Sequence, residues 1–336
     1  MSQSEPTLSY LEQLRHVGSL EQLYFVRRLT LQEGPGAGVR LIEVGTSAGL
    51  RAVFCESRAL DLYELNYRGV NLGFLSKNGL IAGRVQNVEG EFTPTWPGGC
   101  LVTCGLRNAG NPCRHNGEYH QAHGRIAGMP AEQVSVDLDP QNGKLVIKGV
   151  MRESALFGHN LILRRRIEIG LQGASVSWQD TVENQAAEAE PVIMLYHFNF
   201  GYPFLSPALQ LSFPAGQVIP RTDAAKKGLA EFDQICEPVD GYPEQVFFHL
   251  PHAVGTAESL VRLHNPHLGL TANLTFDKNE LPVLVQWKSM KSGDYALGIE
   301  PGTSRIRGRA EELADGYDQI LPGFGQRNFH LSLKLE

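Results

Sequence analysis

The chain has 336 residues, of which 42% are hydrophobic and 20% charged, with a net charge of −6. That is the composition of an ordinary globular protein, and the acidic balance excludes nucleic acid as an expected partner. No stretch approaches the roughly 18 apolar residues of a spanning helix, so no membrane role is expected. The opening MSQSEPTLSYLEQLRH lacks the basic start and apolar core of a signal peptide, which points to a cytoplasmic protein. Five cysteines, an odd number in a long chain, fit reduced thiols better than a disulfide framework.

From Pro6 to about Val17 the apolar residues Leu8, Leu11 and Leu14 recur three apart, which predicts a helix. Beyond it the pattern is of strands: Val39 to Val44, Arg51 to Cys55, Leu60 to Asn66, Lys144 to Met151, Leu161 to Ile169 and Ser175 to Val182. Gly, Pro, Asn and Asp clusters separate them at hairpin spacing, not at the spacing of βαβ units. The 36 glycines and 19 prolines gather in no linker. The expected organisation is therefore an N-terminal helical segment, 1–30, packed on a single β-sandwich domain, 31–336. The fold class is all-β, with large antiparallel sheets and few short helices.

Within HQAHGR (His120 to Arg125) the composition reads as a loop, and polar residues in loops over a rigid sheet often carry function. Arg125 offers a fixed fork for hydroxyls or a carboxylate. Cys100, Cys104, Cys113, His115, His120 and His123 crowd the same region. Cys100 and Cys104 lie in a strand-like run where four residues span roughly 13 Å, too far for one metal or a disulfide. A site built from His115, His120 and His123 stays open, because imidazole suits zinc and similar metals. Arg164, Arg165 and Arg166 could suggest a phosphate site, but along a strand they alternate, so only Arg164 and Arg166 share a face, and a solvated face is the default reading.

MLYHFNFGYP (Met194 to Pro203) is apolar on both faces of a strand until Ile193 and Leu195 give way to His197 and Asn199 on one of them. His197 is either a core histidine bonded to a carbonyl or the polar lip of a cleft. In YALGIEPGTSR (Tyr295 to Arg305), Glu300 shares a face with Ala296 and Gly298, which leaves space for a ligand. Pro301 and Gly302 are expected to stop the ladder there, and the bland reading of Glu300 is a solvated turn. Leu281 to Met290 alternates, with Gln286 and Lys288 on one face and Trp287 on the other. A turn over Lys291 to Asp294 brings this strand beside Glu300. Trp287 is a sugar platform or a core residue. GxSxG, GxGxxG and P-loop patterns are absent.

These segments resemble the aldose 1-epimerases, the galactose mutarotase-like proteins. MLYHFNFGYP is similar to the family's Asn-His-Ser/Thr-Tyr-Phe-Asn-Leu strand, LGIEPGTS to its Leu-Glu-Pro strand, and His123-Gly124 to its sugar-contacting His-Gly pair. GGCLVTCGLRNAGNP is similar to a bacterial branch of these proteins, and the resemblance covers roughly residues 40 to 335. It implies a β-supersandwich and cofactor-free interconversion of the α and β anomers of an aldose, a small-molecule sugar; the chain itself is expected to be a monomer or homodimer. Glu300 is then the base and His197 the acid, facing one another across a gap about as wide as a pyranose ring. His123, Arg125, Asn199, Trp287 and Lys288 are the implied substrate contacts.

Two family features have several candidates each: Arg68, Arg84 and Arg107 for an upstream arginine, and Asp223 and Asp233 for an aspartate between the acid and the base. A non-catalytic sugar-binding protein on the same fold and a metal-dependent isomerase are the alternatives.

Overall fold

The computed structural model describes residues 8–82, 89–90, 92–251 and 256–336. Helix α1 (Tyr10–His16) is opened by Ser9, whose hydroxyl accepts from the Glu12 N–H while the Glu12 carboxylate accepts from the Ser9 N–H. The part of the predicted helix before residue 8 lies outside the described residues. The expected helical stretch 1–30 also holds a strand. β1 (Tyr24–Thr30), β2 (Arg40–Thr46), β3 (Leu50–Cys55), β4 (Asp61–Tyr67) and β5 (Val70–Asn71) pair in that order as a five-stranded antiparallel sheet. β1 is an edge strand whose Arg27 and Arg28 break the apolar alternation, which hides it from a periodicity search.

After α2 (Phe92–Thr95) come β6 (Leu101–Cys104) and a small ribbon of β7 (Cys113–His115) and β8 (Glu118–His120), where the sequence reads as a loop. β9 (Glu132–Asp139), β10 (Lys144–Ser154), β11 (Asn160–Gly170) and β12 (Ala174–Asn184) form a meander. The chain continues through β13 (Glu190–Pro191), β14 (Leu195–Gly201), β15 (Gln210–Ser212), β16 (Gly216–Pro220), α3 (Asp223–Lys227), β17 (Gln245–Pro251), β18 (Glu258–Asn265) and β19 (Leu270–Asp277). It ends with β20 (Val283–Lys291), β21 (Asp294–Gly302), α4 (Arg309–Ala314), β22 (Ile320–Leu321) and β23 (Gln326–Leu335).

Two large sheets result. One has eight strands in the order β15-β18-β19-β23-β12-β11-β10-β9, the other six in the order β16-β17-β20-β21-β14-β6. The main core includes residues of both: Leu163, Ile167, Val176 and Trp178 from the eight-stranded sheet, and Tyr196, Phe198, Phe200 and Leu297 from the six-stranded one. Trp178 and Phe198 meet edge to face at 5.4 Å. This two-layer, mostly antiparallel architecture is the expected all-β class.

Arg165 departs from the solvated-face reading. Arg164 and Arg166 point outward to Glu183 and Glu168, but Arg165 is fully buried. Its guanidinium donates to Asp180 at 2.7 Å, Asp61 at 3.0 Å and the Thr103 hydroxyl at 2.8 Å, and the Tyr196 hydroxyl donates to Asp180 at 2.8 Å. One cation thus ties β11 and β12 to β4, β6 and β14. The network stands on the core side of β14, directly beneath the residue that precedes His197.

Candidate active site

β14 is buried along its whole length because its two faces serve two compartments. Tyr196, Phe198 and Phe200 enter the main core, whereas Leu195, His197 and Asn199 alternate to the other face. β21 lies beside it. The register pairs Phe198 with Ile299 and Leu195 with Gly302, which sets His197 opposite Glu300. On the other side β20 pairs Val285 with Glu300 and Trp287 with Gly298, so Trp287 shares the face of Glu300. The ladder runs on through Pro301 and Gly302 instead of stopping at Glu300. Proline's fixed φ suits an extended strand, and only one donor is lost.

Gly298 is required by this packing. A Cβ there would sit 2.5 Å from Glu300 Oε1, 3.0 Å from the Trp287 Cβ and 3.2 Å from His197 Cε1. The third ring arrives from the loop after β8. His123 holds a left-handed backbone (φ 58°), fixed by its N–H to Gly110 and its carbonyl to Gly105, both at 3.0 Å. A Cβ at Gly124 would meet the Gly105 carbonyl oxygen at 2.1 Å, which explains why glycine follows this histidine.

His197 Nε2 lies 3.1 Å from Glu300 Oε1. The two therefore stand side by side on neighbouring strands, not across a ring-wide gap, because their strands are direct partners in one sheet. The His123 ring stands at 5.6 Å from the His197 ring, and Trp96 and Trp287 each stand at 5.7 Å from it. The cavity bounded by these groups measures about 230 Å³ and is also lined by Phe92, Arg221 and Glu244. This is below the roughly 300–1,000 Å³ typical of drug-sized ligands, and suits a single sugar ring.

Burial raises the Glu300 carboxyl well above the usual carboxylate range; Arg221 opposes this and Glu244 adds to it. Burial likewise pushes His197 well below the ordinary imidazole value, with His123 adding to the effect and the Asn199 side chain opposing it. His123 is pushed down to about 4 by burial and then by Arg221. Both oxygens of Glu300, His197 Nδ1, His123 Nδ1 and Trp96 Nε1 are buried without an aligned hydrogen bond. Buried polar atoms ordinarily have partners, so this concentration around one cavity marks a place where a polar ligand completes the bonding.

His197, Glu300, His123 and Trp287 thus converge, and Asn199 stands beneath them, donating to the Gly99 carbonyl at 3.0 Å and the His197 carbonyl at 2.9 Å. Asn199 buttresses the strand and does not line the cavity. Lys288 is on the opposite face, opposite Leu297, and donates to the Glu231 carbonyl at 2.8 Å. The parity that puts Trp287 in the site necessarily takes its neighbour out. Arg125 is not among the residues lining the cavity, and its charge acts on Glu153 and His159.

Among the arginine candidates, Arg107 pairs with Glu118 and Glu190, Arg68 stacks on Tyr67, and Arg84 lies outside the described residues. Asp223 pairs with Lys226 on α3 and Asp233 is exposed, so neither reaches the cavity. The cation and second carboxylate found there are Arg221, which follows β16, and Glu244, which accepts from Trp287 Nε1 at 3.0 Å. Sequence reasoning missed both, and Trp96 as well. Each flanks a proline (Pro220, Pro243, Pro97) at the end of an element, and that shared position was the available signal.

The His115–His123 loop divides. His123 enters the cavity, while His120 is buried near Glu118 and held at about 4 by burial and then by Arg107. Among the described residues no three His, Cys, Asp or Glu side chains converge as a metal-ligand set. Cys55, Cys100, Cys104, Cys113 and Cys236 are all free thiols. No helix among the described residues is long and apolar enough to cross a membrane.

Large antiparallel sheets that present a polar cluster on one face define a β-supersandwich of the galactose mutarotase-like class. The chain belongs to the family described as a domain of unknown function, DUF4432, which it matches over residues 36–335. Comparison with curated proteins finds no match. Among solved structures it is similar to a protein of Klebsiella pneumoniae provisionally called an aldose 1-epimerase, with a TM-score of 0.86 at 24% identity, over 93% of this chain and 83% of that one. A galactose mutarotase-like protein from Clostridium acetobutylicum matches with a TM-score of 0.64 at 14% identity, over 94% of this chain and 99% of that one. The galactose 1-epimerase of Lactobacillus acidophilus matches with a TM-score of 0.59 at 12% identity, over 93% and 98%.

Proposed function

We propose that this protein is an aldose 1-epimerase that interconverts sugar anomers by acid–base ring opening. The observation that carries the reading is the adjacency of His197 and Glu300, 3.1 Å apart at the floor of a cavity of sugar size. The reacting oxygens of an aldose, O1 and the ring oxygen O5, are bonded to the same carbon. Their acid and base must therefore stand side by side within hydrogen-bond reach of both.

Glu300, as carboxylate, takes the O1 proton while the C1–O5 bond breaks and the C1–O1 bond becomes a carbonyl. His197, as imidazolium, delivers a proton to O5. The C1–C2 bond of the open chain rotates, O5 adds to the other face of the carbonyl, and both protons return. No cofactor enters this scheme, and the pair begins and ends with the same single proton. Burial alone favours the neutral pair, with the proton on Glu300. Arg221 opposes that by favouring the carboxylate, and the sugar's hydroxyls supply further hydrogen bonds to the charged form. His123, neutral above about pH 4, is free to hold a sugar hydroxyl, and Trp287, anchored by Glu244, presents a ring to the sugar's C–H face.

The test is saturation-transfer NMR of α/β exchange across a panel of aldoses. The expected result is exchange above the spontaneous rate for at least one sugar, lost in Glu300→Gln and His197→Asn. Binding without exchange would instead make the protein a sugar-binding relative on the same fold.

A further inference from the structure

The floor of the site does not end at His197. It continues onto the edge strand β6, where Val102 lies opposite His197 and Cys104 opposite Leu195 on the same face. Above them is a second, smaller chamber of about 50 Å³, lined in part by Arg58, Val102 and Cys104. It shares Phe92, Trp96 and His123 with the sugar cavity, so the two adjoin across these rings. Its volume is several times what one water needs, but too small for a second ring.

Arg58 is the permanently charged group among the described residues lining this chamber. It stands in the turn between β3 and β4, and no hydrogen bond or ion pair among the described residues engages its guanidinium. Burial disfavours its charge, and the groups that act on it in return are Cys55 and Asp61. The Cys55 thiol is pushed up to about 12 by burial and stays neutral, while Asp61 is already committed to Arg165 and Thr103. A half-buried guanidinium that lines the chamber without an ion-pair partner among the described residues suits a ligand that brings the anion.

The chemistry of the neighbouring site fixes where on the ligand that anion sits. With O1 at Glu300 and O5 at His197, the ring carbon on the far side of O5 is C5, and its substituent leads away from Glu300 toward β6. From β21 to β6 is two strand spacings, roughly 10 Å, the reach of a sugar ring with one exocyclic group. The geometry points to an aldose carrying an anionic group at C6, a carboxylate or a phosphate ester, with Arg58 as its counter-ion. This rests on the epimerase reading, which sets the direction of the ring.

The experiment compares glucose, glucuronate and glucose 6-phosphate, with the matching galactose series, by NMR exchange on the wild type, Arg58→Met and Arg58→Lys. In the wild type the kcat/KM of an anionic sugar exceeds that of its neutral parent. In Arg58→Met the ratio falls by roughly 10- to 100-fold, the loss expected for a charge-assisted contact, and Arg58→Lys recovers part of it. The uronate and phosphate arms identify which anion the chamber takes. The same ratio in the wild type and Arg58→Met overturns the anion subsite while leaving the epimerase reading intact. Calorimetric binding to the Glu300→Gln protein separates the opposite case. Anionic sugars that bind there more tightly than neutral ones, with the preference lost on adding Arg58→Met, keep the subsite even if the wild type exchanges nothing.

Discussion

Replacing Glu300 with glutamine should make the protein slower and, at neutral pH and above, more stable. The amide keeps the volume of the carboxyl but cannot take the O1 proton. Loss of a positioned base typically costs about 10²- to 10⁴-fold, or about 3–5 kcal/mol of barrier. Stability moves the other way. Burial holds the Glu300 carboxyl above its unfolded value of 4.5, so the folded chain keeps a proton that the unfolded chain has released. Across the window from about pH 4.5 up to the folded pKa, the wild type loses stability as pH rises, by up to about 1.4 kcal/mol per pH unit. Glutamine does not titrate, so its advantage in thermal denaturation should be smallest near pH 4.5 and widen toward pH 8. NMR exchange supplies the rate and calorimetric melting at a series of pH values supplies the stability. A variant that exchanges at the wild-type rate, or melts below the wild type by a margin independent of pH, would refute both the role and the electrostatics assigned to Glu300.

Gly298→Ala places a Cβ within 2.5 Å of Glu300 Oε1 and should lower kcat by roughly 10- to 100-fold with an unchanged circular dichroism spectrum; an unaltered kcat would mean the carboxylate does not need its present position. Arg165→Met strands Asp61 and Asp180 in the core and should cost about 3–5 kcal/mol in urea unfolding, whereas unchanged stability would show that the network carries no net weight. His120, His123, His159 and His249 are each held at about 4, foremost by burial, so their ring NMR shifts should stay flat from pH 8 to 5.5. Their unfolded pKa lies near 6.5, so they withdraw stability as pH falls from there toward 4, and midpoints near 6.5 would contradict their burial.

The strands that sequence made plain are those with one dominant signal. Lys144–Ser154, Asn160–Gly170 and Ala174–Asn184 alternate cleanly; the first starts where expected, and the other observed ends extend the expected ones by one to three residues. His197 and Glu300 were legible because polarity appears on an otherwise apolar or tiny-residue face, a parity argument that register then converts into contact. Parity also excluded Lys288, once its neighbour Trp287 was known to face the carboxylate. Arg221, Glu244 and Arg58 were not legible. They reach their cavities from turns and strand ends, where no period constrains direction, and only the packing of separate sheets decides where a long side chain goes.

Arg165 was hidden for a related reason. Its flanking arginines do point to solvent, and although alternation turns Arg165 to the opposite face, nothing in the sequence says that this face is core until its partners, Asp61 from β4 and Asp180 from β12, are seen to converge on it. That convergence bears on the site. Tyr196 bonds the network through Asp180, and the next residue on β14 is His197. Successive residues of a strand point to opposite faces, so fixing Tyr196 from below sets the height and direction of His197 above. The register with β21 then brings Glu300 alongside it. An acid and a base that work side by side, the roles proposed for His197 and Glu300, need sub-ångström placement, and the ion network that would supply it lies on the far side of the sheet from the cavity. A loop could carry the same two side chains. It could not hold the 3.1 Å separation of His197 and Glu300 that the proposed ring opening above them requires.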